Sequence, residues 1–301
     1  MTKVAIAPSA KPEFEKAVID AGAEVVELDS NVTALVWTDY HSPDLLARTL
    51  SENPQLQWVQ LPFAGVDAFV KVLDLPIRFT CAKGAYKEPV AEHALALMLA
   101  LGRAIPERVR AKTWGEKFAV SLYESKVLIL GGGGIAEELV KLLEPFGCAV
   151  TVVRKSAIEL PGVTTVTFNE FERHVPEADF VVIAAALTEE TEGIINRSTL
   201  ALMKPTAYLV NVARGKHVVT QDLIQALTQK TIAGAALDVT DPEPLPDGHP
   251  LWDVEDLIIT PHTADTPAQV TRMLAERIRL NTLAFQGKGE WLGLVDPKLG
   301  Y

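Results

Sequence analysis

The sequence predicts an α/β protein in which parallel sheets are covered by helices and the chain forms two domains. Short apolar runs alternate with amphipathic stretches, which is the pattern of strand and helix in turn. A turn of four successive glycines separates one such strand from the helix after it. The 301 residues, 48% of them apolar, are too many for one ordinary core and sufficient for two.

The first third of the chain predicts a small parallel sheet. It contains no glycine-rich phosphate turn, so we assign it to the half that does not hold a nucleotide. Its predicted strands are Val4–Ala7, Val25–Leu28, Ala34–Thr38, Trp58–Leu61 and Arg78–Cys81, and its predicted helices are Pro12–Ala21, Pro43–Leu50 and Val66–Leu73.

Between a strand and a helix of this sheet lies the loop L-P-F-A-G-V-D, Leu61–Asp67. Ala64 and Gly65 could present unobstructed backbone N–H groups to a small anion. A plain β-to-α connection is the alternative interpretation, and it is the favoured one from the residues alone.

A helix is predicted over Glu88–Gly102, with Pro89 in its first turn and an apolar surface nearly all round. We therefore expect it to be buried. Glu92 and His93 lie on it, and on such a helix a satisfied structural pair is favoured over a catalytic one.

The glycine turn follows the apolar run Val127–Leu130 and precedes an amphipathic helix and a second run, Val150–Val153. Gly131, Gly133 and Ala136 occupy the positions of G-x-G-x-x-G/A, which is the dinucleotide fingerprint. Glycine lets a pyrophosphate approach the backbone, and the helix N-terminus, with Gly134 and Ile135, offers N–H groups to it. A merely flexible loop is the alternative.

The end of the second strand indicates which nucleotide binds. Where NAD binders carry an acidic residue for the ribose 2′-hydroxyl, this chain has Arg154, Lys155 and Ser156. Two cations and a hydroxyl suit a 2′-phosphate, which predicts NADP(H) in preference to NAD(H), with NAD(H) still possible. The alternative is an ordinary solvated Arg–Lys pair.

The second half repeats the strand and helix period, with helices centred on Leu200 and on Leu223–Leu227. The Gly/Pro-rich stretch Asp241–Pro250 predicts an exposed or active-site loop, and a long helix is expected over Pro267–Phe285. The predicted strands are Phe180–Ala186, Ala207–Val212, Ala233–Val239 and Leu257–Thr260.

Three polar residues follow strands of this half, where ligands collect in an open parallel sheet. Arg214 could hold a carboxylate with two parallel hydrogen bonds. Glu243 beside His262 would favour the protonated imidazole and so make a proton donor near neutrality. With a nicotinamide as hydride donor, the set predicts a 2-oxo-acid reductase, although each residue alone could serve at the surface or as a cap.

Composition excludes some partners. A formal net charge of -11 argues against nucleic acid and against an anionic membrane surface. The N-terminus does not resemble a signal peptide, and no apolar run is long enough to cross a bilayer. Cys81 and Cys148 form no C-x-x-C motif, so we expect buried reduced thiols in a cytoplasmic protein. No metal site is predicted.

The chain resembles the D-isomer-specific 2-hydroxyacid dehydrogenase family over nearly its whole length. The motifs that carry the resemblance appear in order along the sequence. They are A-G-V-D at Ala64–Asp67, V-A-E-H-A-L-A-L at Val90–Leu97, the fingerprint at Gly131–Ala136, L-T-E-E-T at Leu187–Thr191, N-V-A-R-G at Asn211–Gly215, L-D-V-T-D-P-E-P-L-P at Leu237–Pro246, and P-H at Pro261–His262.

The resemblance implies two Rossmann-like domains whose cleft closes on the ligand. Residues 98–271 would form a doubly wound parallel-sheet cofactor domain, and residues 1–97 with 272–301 a smaller flavodoxin-like substrate domain. Members are usually dimers formed through the cofactor domain, so a homodimer is expected.

The resemblance also implies the residue roles. Arg214 would bind the substrate carboxylate and carbonyl, His262 would be the acid/base, and Glu243 would keep His262 protonated. Ala64 and Gly65 would meet the carboxylate, and Asp238 the nicotinamide carboxamide. The loops after two strands would supply further cofactor contacts through Ala185, Leu187, Thr191, Val212 and Ala213.

The sequence departs from the family pattern at several positions. Ala136 replaces the third glycine, and Arg154 resembles the glyoxylate/hydroxypyruvate reductase branch more than the NAD-using members. After His262, T-A-D replaces a small glycine-bearing run, which would make the pocket narrower or more polar. Trp37 and Phe63 are expected near the substrate and would favour a compact or partly apolar substituent.

The resulting hypothesis is an NADPH-dependent reductase of small 2-oxo acids, with glyoxylate or hydroxypyruvate first, that forms the D-hydroxy acid. One alternative is a catalytically silent NADP(H)-sensing protein on the same fold, which a large exposed apolar patch would favour. Another is a formate- or phosphite-type dehydrogenase. The Glu243–His262 pair argues against the formate type, which by resemblance pairs its histidine with glutamine.

Overall fold

The fold is taken from a computed structural model, which describes residues 1–155 and 159–296. The chain divides into two compact units. Unit 1 comprises Met1–Tyr86 and the segment that begins at Thr266, and unit 2 is Lys87–Asp265. These limits differ from the predicted boundaries at 97/98 and 271/272, both of which fall inside helices.

The described strands are short, and most of them are buried. In chain order they are β1 Lys3–Ala7, β2 Glu24–Val26, β3 Ala34–Trp37, β4 Trp58–Gln60, β5 Arg78–Thr80, β6 Lys126–Leu130, β7 Ala149–Val153, β8 Thr164–Val166, β9 Phe180–Ile183, β10 Tyr208–Asn211, β11 Gly234–Leu237 and β12 Leu257–Ile259.

Helices alternate with these strands along the chain. In order they are α1 Pro12–Asp20, α2 Pro43–Glu52, α3 Lys87–Gly102, α4 Ile105–Arg110, α5 Gly134–Leu143, α6 Phe171–His174, α7 Arg197–Leu202, α8 Thr220–Thr228 and α9 Pro267–Phe285.

Unit 1 contains a five-stranded parallel sheet in the order β2-β1-β3-β4-β5. This is the flavodoxin-like order. Helix α9 returns from the far end of the chain and packs against α1. Its buried Asn281 donates from Nδ2 to Oε1 of Gln60 at 2.7 Å, and this contact explains why the whole of α9 belongs with unit 1.

Unit 2 contains a seven-stranded parallel sheet in the order β12-β11-β10-β9-β6-β7-β8. From β6 the chain builds outward through β7 and β8, and it then returns to β9 on the other side. The strand order therefore reverses between β6 and β9, which is where nucleotides bind in doubly wound sheets. The predicted α/β class, with two parallel sheets, is confirmed.

Helix α3 belongs to unit 2 because its apolar side chains pack there. Ala91, Ala94 and Met98 share one buried cluster with Ile129 of β6 and Leu139 of α5. The expectation that this helix is buried holds on that side. Glu92 is exposed and does not pair with its neighbour, while His93 reaches polar groups of the sheet.

Some elements differ from the sequence-based expectation. The helix predicted over Val66–Leu73 is a 3₁₀ helix at Asp67–Val72, and β8, α4 and α6 were not predicted. Cys81 is buried as expected, whereas Cys148 is only partly buried because it follows a surface turn; both are free thiols. Within the described part of the chain, no helix is both long enough and apolar enough to span a bilayer.

Candidate active site

The glycine turn after β6 is shaped by close backbone approach. Gly131 has φ of 112°, and a side chain there would collide with the carbonyl of Ala184 at the end of β9. Only glycine tolerates both conditions. The turn therefore rests directly on the strand-order reversal of the sheet.

Gly133 is open, since a Cβ built there would meet nothing within 4 Å. It is followed at once by α5, whose first N–H groups carry the partial positive charge of a helix N-terminus. An uncovered backbone at this point fits the pyrophosphate of a dinucleotide. Ala136, in place of the third glycine, is buried in the helix-to-sheet packing without difficulty.

Two basic side chains flank this opening. A Cβ on Gly132 would lie 2.8–3.0 Å from Cβ, Cδ and Nε of Arg154, so the arginine side chain lies along the glycine turn. On the other side the stem of Lys87 covers Gly134, and its Nζ pairs with Glu138 at 2.6 Å. Hydrogen bonding and the charge of Glu138 raise the pKa of Lys87 above its ordinary value.

Arg154 is fixed at the end of β7, where its backbone N–H donates to the carbonyl of Val166 on β8 at 3.0 Å. This is the position at which a ribose 2′-substituent is recognised in dinucleotide-binding sheets. Lys155 beside it is exposed, and Ser156 lies outside the described residues.

The predicted cofactor residues after β9 and β10 lie on the loops that leave the same sheet edge. Ala185 and Leu187 are partly exposed there. Thr191 is 3% exposed, and its hydroxyl donates to the carbonyl of Ala186, so its side chain holds the loop closed. Val212 and Ala213 are buried, and the N–H of Ala213 donates to Oδ1 of Asn211.

Arg214 leaves β10 beside a close crossing of two chain segments. Gly215 is packed so tightly against the carbonyl of Thr240 that any Cβ would overlap it. This contact places the loop that carries Arg214 next to the loop that carries Glu243. Arg214 Nη1 donates to the carbonyl of Ala213 at 2.8 Å, and its charge acts on both Glu243 and His262.

Glu243 and His262 form the central polar pair. His262 Nδ1 lies 2.6 Å from Oε1 of Glu243, and both side chains are partly exposed. The hydrogen bond that His262 donates to Glu243 raises the pKa of His262 above 6.5, against burial and the nearby Arg214. The same bond lowers the pKa of Glu243 below 4.5. The imidazole therefore keeps its proton to higher pH than an ordinary histidine, and Nε2 is the ring nitrogen that Glu243 does not engage.

The backbone of His262 is strained in support of this geometry. Its φ is 52°, in the left-handed region that non-glycine residues seldom adopt. Such strain persists only where surrounding contacts enforce it, and it is commonest at functional sites.

Asp238 supplies those contacts. It is 1% exposed, and its carboxylate accepts from the hydroxyl of Thr260 and the N–H groups of Thr263 and Ala264. Its own carbonyl accepts from the N–H of His262. Burial opposes the charge, but hydrogen bonds from His93, Thr260 and Thr263 outweigh it and lower the pKa of Asp238. The expected contact of Asp238 with the nicotinamide carboxamide stays a prediction. Its contacts within the protein organise the turn that carries His262.

His93 is a site residue that the sequence did not assign to the site. Its Nε2 lies 3.0 Å from the hydroxyl of Thr260 and 3.2 Å from Oδ1 of Asp238. The motif V-A-E-H carried a signal for it, but nothing in the sequence pairs that helix with the strand end at Thr260.

The predicted substrate residues of unit 1 fall into two groups. Ala64 and Gly65 are partly exposed, and within the described residues their N–H groups donate to no backbone acceptor. Phe63 is 37% exposed and packs edge-on against Tyr40. Trp37 was expected near the substrate, but it is 1% exposed in the core of unit 1 because β3 is a central strand. It is a packing residue.

The doubly wound sheet, the glycine turn and the Arg214–Glu243–His262 set define an NAD(P)-dependent oxidoreductase. Residues 95–264 match the family described as D-isomer specific 2-hydroxyacid dehydrogenase, NAD binding domain. The chain belongs to this family, and the predicted membership and the predicted dehydrogenase/reductase class are confirmed.

Similarity extends beyond the cofactor unit. An uncharacterised protein in the proB 3′ region of Corynebacterium melassecola is 38% identical over 298 residues, covering 96% of this chain and 97% of that protein. Human glyoxylate reductase/hydroxypyruvate reductase is 29% identical, covering 96% of this chain and 92% of the relative. The D-isomer specific 2-hydroxyacid dehydrogenase of Xanthobacter autotrophicus Py2, solved with NADPH and MES, is 29% identical, with a TM-score of 0.87 over 100% of this chain and 99% of that one.

The pKa shifts of the central pair predict the pH dependence of the reaction. With His262 as the expected proton donor, kcat/KM for reduction should fall as pH rises past the elevated pKa of His262. Replacing Glu243 with glutamine removes the charge that supports the imidazolium, so this alkaline fall should begin at lower pH. Initial rates of reduction, measured from about pH 5 to about pH 10, check both statements.

The control for this prediction is Glu255→Gln, an exchange of the same type at another residue of unit 2. It should leave the pH profile of the wild type unchanged. A Glu243→Gln profile with its alkaline limb in the original place would show that another group controls protonation.

Proposed function

We propose that this protein reduces small 2-oxo acids of the glyoxylate and hydroxypyruvate class to D-2-hydroxy acids with NADPH. The observation that carries the proposal is the Glu243–His262 pair at 2.6 Å, with Arg214 on the adjoining loop and the dinucleotide turn in the same unit. The likeness to human glyoxylate reductase/hydroxypyruvate reductase supports the substrate class.

The residues present can perform the proton chemistry of such a reduction. Arg214 binds the carboxylate of the oxo acid and orients its carbonyl by two parallel hydrogen bonds. His262 donates the proton from Nε2 to the carbonyl oxygen, while Glu243 on Nδ1 stabilises the imidazolium beforehand. A bound reduced nicotinamide supplies the hydride to C2 of the substrate. Asp238 holds the turn of His262 throughout.

Turnover tests the function directly. The protein is mixed with NADPH and, separately, with glyoxylate, hydroxypyruvate and pyruvate, and the loss of absorbance of the reduced cofactor is followed. We expect oxidation of NADPH with glyoxylate or hydroxypyruvate, and chiral chromatography of the hydroxypyruvate product should show the D configuration. NADPH binding without turnover of any short 2-oxo acid would reject the proposal and favour the sensing alternative.

Cofactor choice is predicted to depend on Arg154. Its side chain along Gly132 places a cation where a 2′-phosphate is recognised. Arg154→Asp should weaken NADPH by about tenfold to a hundredfold and move the ratio of kcat/KM values toward NADH, since one charge-assisted contact is replaced by repulsion. Steady-state rates with both cofactors measure this change. Arg173→Asp, on α6, is the matched control. An unchanged ratio of kcat/KM values in Arg154→Asp would show that Arg154 does not recognise the 2′-phosphate.

We also propose that the protein works as a homodimer in the cytoplasm. Large apolar side chains are exposed along residues 105–123, among them Val109 at 77%, Trp114 at 95% and Tyr123 at 66%. Apolar side chains exposed to this extent mark association surfaces, and we propose a second copy of the chain as the partner. The exposed stretch equally suits the sensing alternative, so turnover decides between the two. The two free thiols support a reducing compartment.

Self-association should depend on this stretch. Trp114→Asp places a charge where an apolar contact is expected, so the dissociation constant of the dimer should rise at least about tenfold. Sedimentation velocity over a range of protein concentrations measures this equilibrium. Trp252→Asp, at another exposed tryptophan, is the control. A wild-type protein that is monomeric at every concentration would contradict the prediction.

A further inference from the structure

His93 links helix α3 to the turn that carries His262 through the half-buried Thr260 and the buried Asp238. Thr260 Oγ1 lies 2.6 Å from Oδ1 of Asp238, and Nε2 of His93 lies 3.0 Å from the same hydroxyl. Thr260 follows β12, Asp238 follows β11, and His93 lies on α3, so three separate elements meet there.

The direction of each hydrogen bond follows from the groups present. The carboxylate of Asp238 has a lowered pKa and acts as an acceptor, so the hydroxyl of Thr260 must donate to it. A hydroxyl has one proton, and once it is given to Asp238 the oxygen can only accept from His93. His93 therefore carries a proton on Nε2. This nitrogen lies 3.0 Å from the hydroxyl of Thr260 and 3.2 Å from Oδ1 of Asp238, so His93 reaches the carboxylate both through Thr260 and directly.

This chain ends on the catalytic histidine. Asp238 accepts from the N–H of His262 through its carbonyl, and from the next two N–H groups through its carboxylate. These are the contacts that keep His262 at positive φ and hence its Nδ1 against Glu243. A loss of order at Asp238 would therefore displace the imidazole of His262.

We propose that His93 is a positioning residue for His262, acting through Thr260 and Asp238. The inference rests on the proposed function, in which His262 is the proton donor. His93 touches no substrate in this role. It orders the carboxylate that holds the turn of His262 and thereby maintains the Glu243–His262 hydrogen bond.

The proposal predicts a shift in the titration of His262. The charged groups that act on His262 are Glu243, Asp238, Arg214 and Asp265. Of these, Glu243 raises its pKa most, through a hydrogen bond that depends on geometry. When the turn loosens, this bond lengthens and the pKa of His262 falls toward its ordinary value.

The experiment compares His93→Leu, His93→Gln and Glu92→Gln with the wild type. His93→Leu removes the donor, His93→Gln restores an N–H at similar reach, and Glu92→Gln changes the exposed neighbour on the same helix. Measured are kcat and KM for glyoxylate or hydroxypyruvate, NADPH affinity by fluorescence, and the pKa of His262 by nitrogen-15 NMR without ligands.

We expect His93→Leu to lower kcat by about tenfold to a hundredfold, since small displacements of a catalytic group have effects of this size. NADPH affinity should stay within about twofold, and the pKa of His262 should fall. His93→Gln should recover most of both losses, and Glu92→Gln should match the wild type. Thr260→Val should change kcat and the pKa of His262 in the same direction but less, since His93 still reaches Asp238 directly, and the double variant should be no worse than His93→Leu.

The results separate this inference from the proposed function. A protein that turns over no 2-oxo acid defeats the proposed function, but the NMR titration still tests the link between His93 and His262. A wild-type pKa of His262 in folded His93→Leu and Thr260→Val overturns the inference. So does a fall in thermal stability with unchanged kcat and unchanged pKa, because it would show a structural role alone. If His93→Leu does not fold, the comparison of Thr260→Val with Thr260→Ser decides in the same way.

Discussion

Replacing His262 with asparagine should lower kcat for 2-oxo-acid reduction by about a thousandfold, the middle of the range for a general acid, while NADPH binds with nearly unchanged affinity. Asparagine keeps a polar side chain and tolerates positive φ, so the strained turn at φ 52° is preserved. What the substitution removes is the ionisable imidazole, whose proton is stabilised by the hydrogen bond to Glu243.

Stopped-flow mixing of enzyme and NADPH with the oxo acid separates the chemical step from product release, and a fluorescence titration measures NADPH binding. His174→Asn, on α6, is the control and should behave as the wild type. If His262→Asn keeps more than about a tenth of the wild-type rate, another group is the proton donor.

The second large effect is expected at Arg214. Arg214→Lys keeps the positive charge but cannot form two parallel hydrogen bonds with a carboxylate, so kcat/KM should fall by about a hundredfold. With Arg214→Ala, kcat/KM should fall further, because the guanidinium is then lost altogether. Both losses should appear in KM and in kcat, since in the proposed mechanism the guanidinium orients the carbonyl as well as binding the acid.

NADPH affinity and the pKa of His262 indicate whether the loop itself is intact. Arg214 lowers the pKa of His262, so that pKa should rise in Arg214→Ala. Arg173→Lys provides a control of the same chemistry. Wild-type kinetics in Arg214→Lys would show that charge alone is sufficient and that the two-point clamp is not used.

The fold was largely accessible from the sequence because its signals are local. For ten strands, the apolar runs predicted both ends within about two residues. The glycine turn marked the point at which the strand order of the sheet reverses. The missing strand, Thr164–Val166, has three residues and little apolar pattern. Trp37 was misplaced because a tryptophan at a strand end gives no indication of which side of the sheet it faces.

The site was accessible only in part. Arg214, Glu243 and His262 could be named because each follows a strand, and parallel strands end at one edge. Three-dimensional contacts could not be named in the same way. Neither the close packing of Gly215 against Thr240 nor the hydrogen bonds of His93 can be read from residue spacing, since each joins separate elements of the chain.

Gly215 has a consequence for redesign of the enzyme. Its backbone packs closely against the carbonyl of Thr240, so the loop that carries Arg214 and the loop that carries Glu243 meet through the main chain at this point. Changes of substrate range in unit 2 should then come from exchanging side chains on these two loops, because insertions at this crossing would move Arg214 away from Glu243. Variation in length is better tolerated at the exposed residues 246–248, between the half-buried Leu245 and His249.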